Sequence, residues 1–166
     1  SRCGHAVTVT ALLACLAGLS ACGGSGGPSA PSPPAESAAP VLSVPLLDLA
    51  LVTDFLPFGA RLDSGQVSPA YELYTSVDTA TVLAASAGVV VNVTPNAAPQ
   101  TDVEIQVRPS GASVYLLIYD PVVAPQVAVG QTIAAGQDPG QIGPFNDRGR
   151  NRNGRVELQI NRGGSG

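Results

Sequence analysis

From residue 71 onward the chain is written in short runs of Val, Ile, Leu, Tyr and Thr, broken every few residues by Gly, Pro or Asn. Such runs are too short and too β-branched for helices and predict strands at 72–75, 80–83, 89–94, 103–107, 113–119 and 155–160. Val103-Glu104-Ile105-Gln106-Val107-Arg108 alternates strictly, and so does Val156-Glu157-Leu158-Gln159-Ile160-Asn161. A period of two turns one face to a core and the other to water. Turn residues cluster at 95–99 and 109–111. Many short strands so separated argue for an all-β domain, a small antiparallel barrel or sandwich. Between 42 and 56 the pattern fits neither period; an entry strand and a segment lying across the domain are both open. Phe55-Leu56-Pro57-Phe58-Gly59 reads as a buried turn.

Upstream the composition changes. After Arg2 and His5, residues 6–19 are almost wholly apolar. The run is short of the ~20 residues that span a bilayer, and its small-residue end reads as a signal peptide. It closes on Leu19-Ser20-Ala21-Cys22, followed by Gly23-Gly24-Ser25-Gly26-Gly27 and a Pro, Ala and Ser tract to Pro40. This order resembles the lipobox of bacterial lipoproteins. The resemblance implies cleavage before Cys22, diacylglycerol on its sulfur and attachment to a membrane through that lipid. Gly23 in place of an Asp after the cysteine implies the outer membrane, facing the periplasm, where the organism has one. The expected divisions are a signal peptide at 1–21, a lipidated Cys and disordered linker at 22–43, a β domain at 44–162 and a tail at 163–166. The linker composition cannot pack a core.

What lies beyond Cys22 excludes much chemistry. The formal net charge is −4, which offers nothing to nucleic acid. The only His, His5, precedes the cut, as do Cys3 and Cys15, and the chain contains no Lys. The usual general base, the Schiff-base or carrier amine and the free thiolate are therefore missing from the expected mature protein. A Ser or Thr nucleophile would lack its base, and nothing in the spacing of Asp63 and Glu72 supports a glycosidase pair. No metal or other cofactor is expected.

Ala84-Ala85-Ser86-Ala87-Gly88-Val89-Val90, then Val114-Tyr115 to Asp120, then Val127-Ala128-Val129-Gly130-Gln131-Thr132-Ile133-Ala134-Ala135-Gly136-Gln137, then Gly154-Arg155-Val156-Glu157-Leu158-Gln159-Ile160 follow in an order that resembles the lysostaphin-like, LytM-type zinc endopeptidases of peptidoglycan. The resemblance covers about 55–162 and rests chiefly on the doubled Gly-Gln pattern. It implies a barrel-sandwich hybrid, the duplicated hybrid motif. Lipoyl and biotinyl carriers share that hairpin, but they need a Lys. The zinc and catalytic positions of the family fall on residues that cannot serve. The His-x-x-x-Asp ligand pair aligns with Ser68 and Glu72, the His-x-His pair with Asn153 and Arg155, and the remaining His with Pro121. One carboxylate beside a cation is not a zinc site, which takes three N, S or carboxylate ligands. The resemblance therefore implies a domain that is not an enzyme.

Arg148, Arg150, Arg152 and Arg155 concentrate positive charge beside the lost His pair. A solvated loop and an anion site for carboxylates or phosphates are both open. The expected protein is a lipid-anchored envelope protein that binds peptidoglycan or a cell-wall hydrolase. The alternatives are a structural accessory domain of a longer envelope protein and an active relative of the metallo-endopeptidases.

Overall fold

The structure, a computed structural model, describes residues 38–98, 100–110 and 114–163, with the side chain of Arg148 excepted. Cys22, the expected signal peptide and most of the expected linker lie outside the described residues.

The described chain forms one open antiparallel sheet of nine strands: β1 Val52–Leu56, β2 Ala70–Thr75, β3 Thr81–Val82, β4 Gly88–Pro95, β5 Val103–Pro109, β6 Tyr115–Val123, β7 Thr132–Ile133, β8 Gly140–Asp147 and β9 Arg152–Arg162. Their order across the sheet is β1-β2-β9-β8-β6-β5-β4-β7, with β3 on β8 and a further pairing of β9 with β6. The only helical pieces among the described residues are short 3-10 turns at Leu49–Leu51 and Arg148–Arg150. The all-β expectation is met, and the strict alternation of residues 103–108 appears as buried Ile105 and Val107 beside exposed Arg108.

Strand β9 is the hub. Its N-terminal part lies between β2 and β8, and its C-terminal part passes to β6. Strand β6 makes the complementary exchange. Its ladder with β9 ends at Asp120↔Glu157, and from Val122↔Ile142 it pairs with β8. Pro121, which has no N–H to donate, stands at that handover. There a Cβ on Gly143 would press on Pro121 Cγ and lie 2.8 Å from its Cβ, so only glycine fits at that point of β8.

The core gathers Leu46, Leu47, Leu73, Val90, Ile105, Leu117, Tyr119, Ile142, Val156 and Leu158 from across the sheet. Residues 42–47 lie over this core: Leu46 and Leu47 are buried, Ser43 N–H donates to the Ala85 carbonyl at 2.8 Å and Leu83 N–H to the Leu46 carbonyl at 2.7 Å. The Tyr119 hydroxyl accepts from Ala85 N–H at 2.9 Å, and burial pushes its pKa up to about 12.

The doubled Gly-Gln pattern is two copies of one turn, one on either side of β7. Gly130 has φ 86° and Gly136 φ 80°, where a side chain is strained. Gln131 N–H returns to the Ala128 carbonyl, and its Oε1 accepts from Ala128 N–H at 3.1 Å; Gln137 and Ala134 do the same at the same distance. Ile133 between them is buried.

Two expectations are corrected. The segment 55–59 is not a buried turn: Phe55 is 58% and Phe58 45% exposed. Among the described residues strand β1 ends the sheet, and no further strand pairs with its outer edge. The stretch from 140 to 147, absent from the expected strands, is a strand, in which Gly140 and Gly143 are required by close packing against Val122 and Pro121.

Candidate functional site

Strands β2, β9 and β6 run side by side, and their register sets three carboxylates in one row. Glu72 faces Glu157, and Glu157 faces Asp120. Like charges directly opposite on a sheet repel. The cation that answers them is Arg155, two residues along β9 and so on the same face. Its Nη1 lies 3.4 Å from Glu72 Oε2 and 3.6 Å from Glu157 Oε2. The guanidinium also stands over the Phe145 ring, 5.4 Å from its centroid. The Tyr74 hydroxyl donates to Glu72 Oε2 at 2.5 Å; burial and that bond push the Tyr74 pKa up to about 12. Asn96 Nδ2 donates to Asp120 Oδ1 at 2.7 Å and to Asp102 Oδ1 at 2.9 Å.

The row is not evenly compensated. Burial raises the Glu157 pKa, against the bond from Gln159 and the charge of Arg155. Burial likewise raises Asp120, against the Asn96 bond and Arg155. A cleft of about 460 Å³ opens beside this row, lined by Asp102, Pro121, Pro144, Phe145 and Arg155 among others. Phe145 and Pro144 also line a neighbouring cleft of about 410 Å³ that contains Asn153 and Asp78.

The tertiary fold thus brings Glu72 and Arg155 into contact, sets Pro121 with Arg155 on one cleft and Asn153 on the next. Ser68 is buried, and its hydroxyl is used locally, donating to the Ala70 carbonyl at 3.0 Å and accepting from Ala70 N–H at 3.2 Å. These residues do not fit a zinc ion. The Ser68 hydroxyl is taken by backbone, Glu72 by Tyr74 and Arg155, Arg155 is a cation, and Pro121 offers no donor. Among the described residues no cluster of His, Cys, Asp and Glu is arranged to hold a metal.

The arginines do not act as one group. Arg152 is paired with Asp54 on β1 and stacks on Tyr74 at 4.3 Å from the ring centroid. Arg155 is held by Glu72 and Glu157. Arg150 is largely exposed, 3.9 Å from Asp147. Sequence reasoning passed over Glu157, Asp120 and Asn96. The outward phase of Glu157 in β9 was visible, but its neighbours on β2 and β6 follow only from register.

No protein-family model matches the chain, and no curated protein matches it. Among solved structures it is similar to lysostaphin, in an NMR solution structure, with a TM-score of 0.54 and 15% identity over 68% of this chain and 45% of that one. It is similar too to a zinc-containing peptidase from Vibrio cholerae, with a TM-score of 0.51 and 17% identity over 69% of this chain and 34% of that one. The chain therefore spans less than half the length of either. With the row of strands, the doubled turn and these likenesses together, the domain has the LytM-like fold of lysostaphin and the Vibrio zinc peptidase.

Proposed function

We propose that this is a lipid-anchored protein of the bacterial cell envelope, attached through Cys22, whose peptidase-like domain is non-catalytic and binds the wall or regulates a hydrolase there. The observation that carries the reading is the ion pair of Glu72 with Arg155. The family resemblance puts two zinc ligands at those positions. A carboxylate and a guanidinium in contact there neutralise each other and leave no set of donors to polarise a peptide carbonyl. The cleft beside them supplies a place for a ligand without a reaction to perform on it.

The test uses the full chain and purified cell-wall sacculi. Co-sedimentation without release of soluble fragments, and no stoichiometric zinc after dialysis against the metal, are the expected results. One tightly held zinc per chain with hydrolysis of the sacculi overturns the reading. A chain that neither sediments nor changes the rate of an added wall hydrolase is a structural accessory domain instead.

A further inference from the structure

On the other side of β2 the chain exposes an apolar patch that the site above does not use. Side chains alternate along a strand, so Tyr71 points away from Glu72. The Tyr71 ring is 6.4 Å from Phe55 and 6.1 Å from Phe58, centroid to centroid. It also lines a groove of about 330 Å³ with Leu42, Val44, Pro45 and Leu158. Phe55 is 58%, Phe58 45% and Leu42 42% exposed. A contiguous group of exposed aromatics and leucine on a small domain marks a contact surface.

We propose that this patch seats the domain on a lipid bilayer, with Leu42, Phe55, Phe58 and Tyr71 entering the interfacial layer. The proposal rests on the anchoring through Cys22 put forward above. The choice of occupant follows from the chain itself. Leu42 is both a wall of the groove and the point at which the tether from Cys22 reaches the domain. Only about 20 residues of sequence separate Cys22 from Leu42. At that separation the patch meets the membrane at an effective concentration on the order of millimolar, so weak apolar insertion suffices. Aromatic rings with one polar edge, such as Tyr71, favour the headgroup boundary. The chain has no Lys, and the patch residues carry no charge, so apolar burial rather than attraction to anionic lipid drives the contact. Seated in this way, the domain turns the Glu72 and Arg155 face of β2 away from the bilayer, toward the wall.

The chain contains no Trp, so a single one reports its surroundings. Phe55→Trp, Phe58→Trp and, on the cleft, Phe145→Trp are produced with their lipid and reconstituted into phosphatidylcholine vesicles with and without brominated acyl chains. Emission from the first two variants is expected to be quenched by bromine at low and high salt, and emission from the third is not. Leu42→Ser in the Phe58→Trp background is expected to lower the seated-to-free ratio about tenfold, the equivalent of one buried leucine. Vesicle flotation reads the anchor separately. Protein that floats but shows equal, weak quenching at all three positions overturns the seating and leaves the anchor intact. Protein that does not float overturns both. An emission shift that follows protein concentration without vesicles makes the patch an interface between copies and also overturns the proposal.

Discussion

Arg155 Nη1 lies 3.4 Å from Glu72 Oε2 across the β2–β9 ladder. The side chains are 27% and 10% exposed, so the pair is largely withdrawn from water. A buried pair of this kind is weak evidence of added stability, but breaking it is costly, because the surviving charges are left without an answer.

Arg155→Met is therefore expected to destabilise the domain by about 2–3 kcal/mol, somewhat below a fully buried pair because the guanidinium keeps some water. Glu72 and Glu157 are left facing each other in the variant. Adding Glu157→Gln to Arg155→Met should recover part of the loss. Urea unfolding midpoints check both; a single variant as stable as the parent would show that Arg155 is not needed to hold the row together.

The pH dependence follows from the raised carboxyls. Burial first, with the charges of Glu72 and Asp120 adding to it, holds the Glu157 pKa above its ordinary 4.5. The folded state then binds the proton more tightly than the unfolded chain. That contribution is complete below the unfolded value and is lost as pH rises through the folded one. Asp120 acts in the same sense. Asp54 acts in the opposite sense: the Arg152 bond lowers its pKa below the ordinary 3.8, so its contribution disappears as pH falls through that lowered value. Stability should pass through a maximum at mildly acidic pH, and Glu157→Gln should flatten the decline on the neutral side. Unfolding midpoints measured across the acid-to-neutral range decide it; an unchanged slope in the variant counts against the assignment.

Gly154→Ala is expected to cost about 1–3 kcal/mol, the usual result of overpacking. A Cβ at Gly154 would press on Ile142 Cδ1 and lie 2.6 Å from the Val77 carbonyl oxygen and 2.8 Å from Thr75 Oγ1. Ile142→Val in the same chain should restore only part of the loss, since the Val77 oxygen belongs to backbone. A thermal midpoint equal to the parent would mean that β9 shifts freely at this point.

Arg152→Ala removes the Asp54 pair and the stack on Tyr74. Asp54 is 40% exposed, so the expected cost is small, about 0.5–1 kcal/mol. Raising the salt concentration should narrow the difference between variant and parent, because exposed pairs are screened. A loss several times larger, insensitive to salt, would give this arginine a packing role that the geometry does not suggest.

Cys22→Ser is expected to move the protein from the detergent phase to the aqueous phase in partitioning, since the lipobox resemblance places the lipid on that sulfur. An unchanged membrane fraction would remove the anchor, and with it the reason for seating the domain on a bilayer.

Much of the fold was legible because strands with one buried face advertise their period locally. Residues 103–108 could be read without any partner, as could the apolar face of 156–161, though Glu157 on its expected water face is buried, and the two Gly-Gln turns depend on atoms within four residues of each other. Strand β8 could not be read so. Its glycines and proline resemble loop chemistry, and the reason for them, Pro121 and Val122 pressed against it, is more than a dozen residues away. The same physics divides the site. The amino acids alone determined that no His, Lys or Cys follows Cys22 in this sequence. They also displayed the arginines as a single cluster. Only the tertiary structure decided that Arg152 belongs to Asp54 and Arg155 to Glu72 and Glu157, because sheet register sets Asp54 of β1 beside the one arginine and Glu72 of β2 and Glu157 of β9 beside the other. Register is a property of long-range pairing, and a charge read along the chain carries no record of the strand that will lie beside it.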